Sequence, residues 1–141
     1  MFKRINIIIL FILFLLLPSL CFITDNIEKA FQENNPKEIQ ALLSKETRIS
    51  LSFPSPISFS GTISSQQVYL LFKDIFTEFS TTDFKTEENS LARFPNQTLI
   101  YKTYWSFQNR TTSENYSFIM FFSLKKEENK WKIIEIKAKE F

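Results

Sequence analysis

Ser64-Ser65-Gln66-Gln67-Val68-Tyr69-Leu70-Leu71-Phe72-Lys73-Asp74-Ile75-Phe76-Thr77-Glu78-Phe79 is the stretch on which the fold turns. Ser64 followed three residues later by Gln67 is a capping box, in which two backbone donors at a helix start are satisfied reciprocally. Behind it, Val68, Leu71, Phe72, Ile75, Phe76 and Phe79 recur at helical spacing. One face of a long helix is therefore apolar and needs a partner layer to cover it.

Downstream, from about Thr82, the period shortens to that of strands. Phe84 to Glu88 reads as one strand, with Ser90 to Phe94 as its continuation or neighbour, and Pro95-Asn96-Gln97 as a turn. Leu99, Tyr101, Thr103, Trp105 and Phe107 line one face of a long strand against Lys102 and Ser106 on the other. After a turn at Asn109-Arg110, Tyr116 to Leu124 is apolar on both faces through Phe118, Ile119, Met120, Phe121 and Phe122. That pattern predicts a central strand. Asn129-Lys130 closes a hairpin into Trp131 to Ala138.

Upstream, Asp25 with Glu28 predicts a first helix burying Ile27, Ala30 and Phe31. Asn35-Pro36-Lys37-Glu38 starts a second, with Ile39, Leu42 and Leu43 as its stripe. Ile49, Leu51 and Phe53 then alternate with Arg48, Ser50 and Ser52, which is the mark of a half-buried strand. Pro54-Ser55-Pro56 interrupts it, Ile57 and Phe59 resume it, and Gly61, the only glycine, is expected at a bulge or turn. This order predicts a single α+β domain over 24–141. Its N-terminal helices and one long helix pack on a curved antiparallel sheet.

Ahead of that domain, Lys3 and Arg4 lead into an unbroken apolar run from Ile7 to Leu17, followed by Pro18-Ser19-Leu20-Cys21. A basic start, an apolar stretch and a small-residue exit are the parts of an export signal, assigned to 1–23. The run is short of the ~18–20 apolar residues that span a bilayer. Three fates stay open: cleavage after Cys21, acylation of Cys21 as a lipoprotein, or retention of the segment as a membrane anchor. Leu20, where a lipoprotein signal usually has a small residue, argues against the second. The expected location is outside the cytoplasm, with membrane contact only through this segment or a lipidated Cys21.

Cys21 is the only cysteine, so the domain can form no disulfide within itself and no cysteine-based metal or redox site. Lys3 and Arg4 account for the formal +2, leaving the rest of the chain balanced in charge. A nucleic-acid partner, which would demand a basic excess, is not expected. Lys125, Lys126, Lys130, Lys132, Lys137 and Lys139 are interleaved with Glu127, Glu128, Glu135 and Glu140, which reads as a solvated strand edge.

Gly61-Thr62-Ile63-Ser64-Ser65-Gln66-Gln67 leading into Leu71-Phe72-Lys73-Asp74-Ile75-Phe76, with Tyr116–Lys125 and Trp131–Ile136 as closing strands, carries a resemblance. The chain resembles, over about 25–139, a family of small exported bacterial domains of unknown function. Their fold is nuclear-transport-factor-2-like (cystatin-like). The shared motifs are packing motifs. The resemblance implies a pocket between the long helices and the concave sheet face, where enzymes of this fold place an Asp–His or Tyr–Asp pair. With no histidine in the chain, the first pair cannot be built. For the second, Asp74 and Asp83 are the available acids and Tyr69, Tyr101, Tyr104 and Tyr116 the available phenols.

Zinc or haem ligation lacks its donors, a nucleophilic serine lacks a histidine base, and the acid spacing of a calcium loop is missing. No catalytic residue, metal or cofactor is expected. Glu87-Glu88 and Glu127-Glu128 read as solvated pairs at turns and strand ends. The positive anomaly is aromatic: seventeen phenylalanines, most of them core. Tyr101, Trp105, Tyr116 and Phe118 are the candidates to line an apolar ligand pocket on the concave face. The expected function is an exported, non-enzymatic binding or accessory domain for a small apolar ligand. The alternative is an interaction module forming a homodimer through its sheet, which an exposed strip such as Ile119 and Phe121 would favour.

Overall fold

The computed structural model of the protein describes residues 22–93 and 97–141. The export run with Cys21, and the Pro95-Asn96 part of the expected turn, lie outside the described residues. Residues 22–32 are helical (α1), so helix starts ahead of Asp25, which is exposed within it rather than capping it. The reason is visible in the packing. Ile23 is buried with Ile27, Ala30 and Phe31, so the apolar stripe begins a turn earlier than the Asp25–Glu28 spacing indicates.

The second helix, α2 (Pro36–Leu42), is capped as expected. Asn35 Oδ1 accepts from the backbone N–H of Lys37 at 3.1 Å and of Glu38 at 3.3 Å, with Pro36 in the first turn. Strand β1 (Ile49–Phe53) buries Ile49, Leu51 and Phe53 and pairs with β2 (Phe59–Ile63). Gly61 sits in mid-strand opposite Leu51 without a positive φ, so the expected bulge or turn does not form there. The ring of Phe59 lies 3.6 Å from where a Cβ would stand, covering the glycine along its own strand.

The long helix α3 (Ser65–Glu78) carries the full capping box. Ser64 Oγ accepts from Gln67 N–H at 3.2 Å, and Gln67 Oε1 accepts from Ser64 N–H at 3.0 Å. Val68, Phe72, Ile75 and Phe76 form its buried face. Phe79 is extended, and its N–H donates to Ile75 O, closing the helix while opening β3 (Phe79–Arg93). The strand therefore starts before Thr82, and the two pieces expected on either side of Glu88 are one strand. Register shifts lie between Thr81 and Asp83 and between Thr86 and Leu91.

Strands β4 (Thr98–Asn109), β5 (Asn115–Glu127) and β6 (Lys130–Glu140) complete a sheet of order β2-β1-β6-β5-β4-β3. Three helices pack on this six-stranded curved sheet, an α+β fold. One pairing departs from the antiparallel expectation. β1 runs parallel to β6, with Leu51 opposite Ile136. These strands come from opposite ends of the domain, so no hairpin fixes their direction, and the register places two buried aliphatic residues side by side. The C-terminal lysines consequently do not lie at a sheet edge. They are carried by the inner strands β5 and β6, although β1 pairs with β6 only over Glu135–Lys137.

The concave face meets the helices in one apolar cluster. Phe31 of α1 is its hub, touching the rings of Phe72, Phe76, Phe84, Trp105 and Phe122. Its stacked contact with Phe84 has a centroid separation of 4.7 Å, and Trp105 meets it edge-on at 5.2 Å.

Candidate functional site

The four residues expected to line a concave-face pocket are placed differently from one another. Tyr101, Trp105 and Phe118 are fully buried, and their neighbours are protein side chains. Trp105 Nε1 donates to Thr81 Oγ1 at 3.0 Å, and the Tyr101 hydroxyl pairs with Thr86 Oγ1. Burial pushes the Tyr101 phenol above its ordinary value, against the opposing pull of Thr86. Tyr116 is half-buried, stacked on Phe107, with its hydroxyl donating to Glu114. Phe31 and Phe76 from the helices meet the Trp105 ring edge-on, and Phe72 packs on both of them. Among the described residues, the concave face around Trp105 is filled by the domain's own rings.

A Tyr–Asp pair is not assembled either. Asp74 and Asp83 are both exposed, and Asp83 pairs with Lys85 at 3.3 Å. Of the two carboxylate pairs, Glu87 behaves as expected, at the surface and 2.9 Å from Lys102, whose hydrogen bond holds its carboxyl below the usual value. Glu127 does not. It is buried and accepts a hydrogen bond from Ser44 Oγ, so the expectation of a solvated pair fails at this residue. Ser44 itself accepts from the N–H groups of Glu46 and Thr47, both at 3.2 Å, and its own N–H donates to Ile133 O at 2.8 Å. This fastens the base of the β5–β6 hairpin to the chain leaving α2. No local pattern announces it, because Ser44 and Glu127 meet only through the fold.

That fastening shapes an open groove of about 430 Å³ between α1, α2 and the hairpin. Glu128 and Asn129 both adopt positive φ, 47° and 65°, the geometry of a two-residue hairpin turn. The turn sets Lys130, Trp131 and Lys132 along a groove that Leu42 of α2 and Phe22 and Ile23 of α1 also line. Trp131 is half-buried, with Lys126 Nζ 6.0 Å from its ring centre. Lys132 Nζ donates to Ala41 O at 3.0 Å, near the end of α2. Burial, with Lys45 and Lys130 nearby, holds its ammonium below the ordinary lysine value, while Glu127 acts in the opposite direction. Glu38 is the acid on the groove wall.

None of the four expected pocket residues lines this groove. The sequence held one signal for it, an amphipathic Trp flanked by two lysines directly after a tight turn. A second hollow of about 380 Å³ lies among Arg48, Ser123, Lys125 and Glu135 and carries no aromatic side chain. Among the described residues there is no group of three His, Cys, Asp or Glu able to hold a metal ion. No helix among them is long and apolar enough to cross a membrane.

Comparison with known proteins places this architecture. A DUF4783 family protein from Bacteroides uniformis is 14% identical, with 83% of this chain and 95% of that one covered and a TM-score of 0.66. An NTF2-like protein from Cytophaga hutchinsonii is 12% identical, covering 86% and 95%, with a TM-score of 0.61. A ketosteroid isomerase-like protein from Erwinia carotovora atroseptica is 10% identical, covering 88% and 95%, with a TM-score of 0.69. At such identities the likeness is one of fold. No curated protein matches the sequence. Residues 24–138 match the family described as Domain of unknown function (DUF4783), and the chain belongs to that family.

Proposed function

We propose that this chain is an exported, non-enzymatic binding domain whose small-molecule site is the groove between α1, α2 and the β5–β6 hairpin. The observation that carries this reading is a contrast. The concave face is packed with the domain's own rings, whereas the groove stays open beside Trp131, Leu42 and a 69% exposed Phe22. Its volume falls in the range of ordinary ligand sites, which combine apolar walls with a few polar groups. The export half of the reading rests on the basic, apolar and small-residue order of the first 21 residues. The non-enzymatic half rests on the chain's lack of histidine and on the exposure of Asp74 and Asp83.

The test compares native and denatured masses of the exported protein and of Leu42→Arg, which fills the groove from one wall. A small-molecule adduct that is lost on denaturation and missing from the variant is the expected result. An adduct that persists in Leu42→Arg, or none under any condition, refutes the groove.

Self-association through the outer sheet face is the second reading. Phe141 is 80% exposed, with its ring 5.4 Å from Tyr104. The strip itself is weaker than expected. Ile119 and Phe121 are half-buried, and Lys139 Nζ lies 5.8 Å from the Phe121 ring centre. A mass by light scattering that stays monomeric at high concentration sets this reading aside.

A further inference from the structure

Resting on the groove reading above, we propose that the ligand is an anionic amphiphile: a carboxylate or phosphate head held by Lys130 and Lys132, with an apolar tail running along Trp131 and Leu42 towards Ile23 and Phe22. The groove is divided by element. Its cations come from the hairpin, and its apolar wall comes mainly from α1 and α2. Trp131 stands at the junction, which suits a side chain with an apolar body and one polar edge.

The charges favour an anion. Among the described residues neither Lys130 nor Lys132 forms an ion pair; the pairs present are Lys85–Asp83 and Lys102–Glu87. Lys132 uses one of its three N–H donors on Ala41 O, leaving two for a ligand. The charged groups around it are Lys45, Lys130 and Glu127. Of these Glu127 is already engaged by Ser44, so its lone pairs are partly spent. Glu38 lines the same groove, so its two lysines exceed its acids by one. An anionic head would gain charge-assisted hydrogen bonds from both ammonium groups. A neutral head would leave those donors unmatched, and a cationic head would meet like charge.

The apolar wall requires a tail. Among the described residues Phe22 is one of three large hydrophobic side chains left exposed, and it borders the groove rather than standing alone. The chain's own N-terminal segment, with its run from Ile7 to Leu17 set off from Phe22 by Pro18-Ser19-Leu20-Cys21, is the rival occupant. Its charges are Lys3 and Arg4, so it would carry further cations towards a wall that already has an excess of them.

The chain offers its own reporter, because it has two tryptophans: Trp131 in the groove and Trp105 in the core. The full chain, purified as an exporting host processes it, is titrated with dodecanoate, dodecanol and dodecyltrimethylammonium below their micelle concentrations. Saturable change in Trp131 emission with dodecanoate is expected, absent in Trp131→Phe and about tenfold or more tighter than with dodecanol. Dodecyltrimethylammonium should give none. Lys130→Glu, at an exposed position, should weaken dodecanoate about tenfold and admit the cation.

Equal binding of all three probes, blocked by Leu42→Arg, overturns the anionic class and leaves the groove standing. Dodecanoate binding that survives Trp131→Phe and reports through Trp105 overturns both and returns the site to the concave face. Absence of any saturable change, for any probe, overturns the groove together with its ligand.

Discussion

Truncating Phe31 to Ala is the perturbation that best separates a filled concave face from a ligand pocket. The ring is fully buried and meets five other aromatic rings drawn from α3, β3, β4 and β5. Losing its burial costs about 2 kcal/mol in transfer free energy. If the surroundings do not collapse, a void of about 100 Å³ adds roughly 2.4 kcal/mol at about 24 cal/mol per Å³. The sum, roughly 4 kcal/mol, lies inside the observed range of about 3–5 kcal/mol for such truncations. It is a large part of the ~5–15 kcal/mol that holds a domain of this kind together. Urea unfolding followed by tryptophan emission measures it, because Trp105 packs directly on Phe31. The variant should also take up benzene, as dry apolar cavities do, and recover part of its stability by mass action. A loss under about 1 kcal/mol would refute the reasoning, because it would mean that space already exists beside the ring and that the concave face can admit a ligand.

Three further outcomes follow from single contacts. Ser64→Ala removes one half of the capping box on α3 and should cost about 1 kcal/mol by chemical unfolding, with no change in sheet content. Ser44→Ala strands a buried Glu127 carboxylate and two backbone donors, so a loss of about 1–3 kcal/mol is expected; a neutral result would show that water reaches this site. Lys132→Met tests linkage. The folded-state value of Lys132 is lowered, so the unfolded chain binds its proton more readily between that value and 10.5. The stability of wild type relative to Lys132→Met should therefore rise with pH across that window, be complete above it, and be lost as pH falls through the folded value. Hydrogen bonding to Ala41 O is common to that whole range and sets only an offset. Unfolding curves for the two proteins at matched alkaline pH values measure the difference, and a flat difference would contradict the burial of this ammonium.

Much of the fold was legible because its signals are local. Asn35 and Ser64 cap helices through residues two or three positions away, and Ile49, Leu51 and Phe53 alternate along a single strand. Such patterns depend on nothing distant. What went astray depended on partners far along the chain. The pairing of β1 with β6 joins the two ends of the domain, so no hairpin between them announces its parallel direction. Gly61 looked like a turn because glycine permits one. It is held in an ordinary strand because Leu51 stands opposite and Phe59 covers it.

The site divides along the same line, and the division bears on what such a fold can do. Tyr101, Trp105 and Phe118 are buried, yet a strand pattern says only which way a side chain points. Whether the space above is empty is decided by another element, here by Phe31 on α1 and by Phe72 and Phe76 on α3. A related chain with a smaller residue at the position of Phe31 would keep the same sheet pattern and hold an open pocket. In this chain rings take up the space around Trp105, and an open groove lies instead between α1, α2 and the β5–β6 hairpin. The groove there is made by a hairpin whose base is fastened through Glu127 and Ser44, residues with no mark in the sequence except their chemistry. Moving the cavity from the sheet to the hairpin changes what it can recognise. The sheet face offers rings and few donors, whereas the hairpin brings Lys130 and Lys132 to the edge of an apolar wall. Under the proposal, a ligand in that groove would be selected by its charged head, and the tail would set only how tightly it is held.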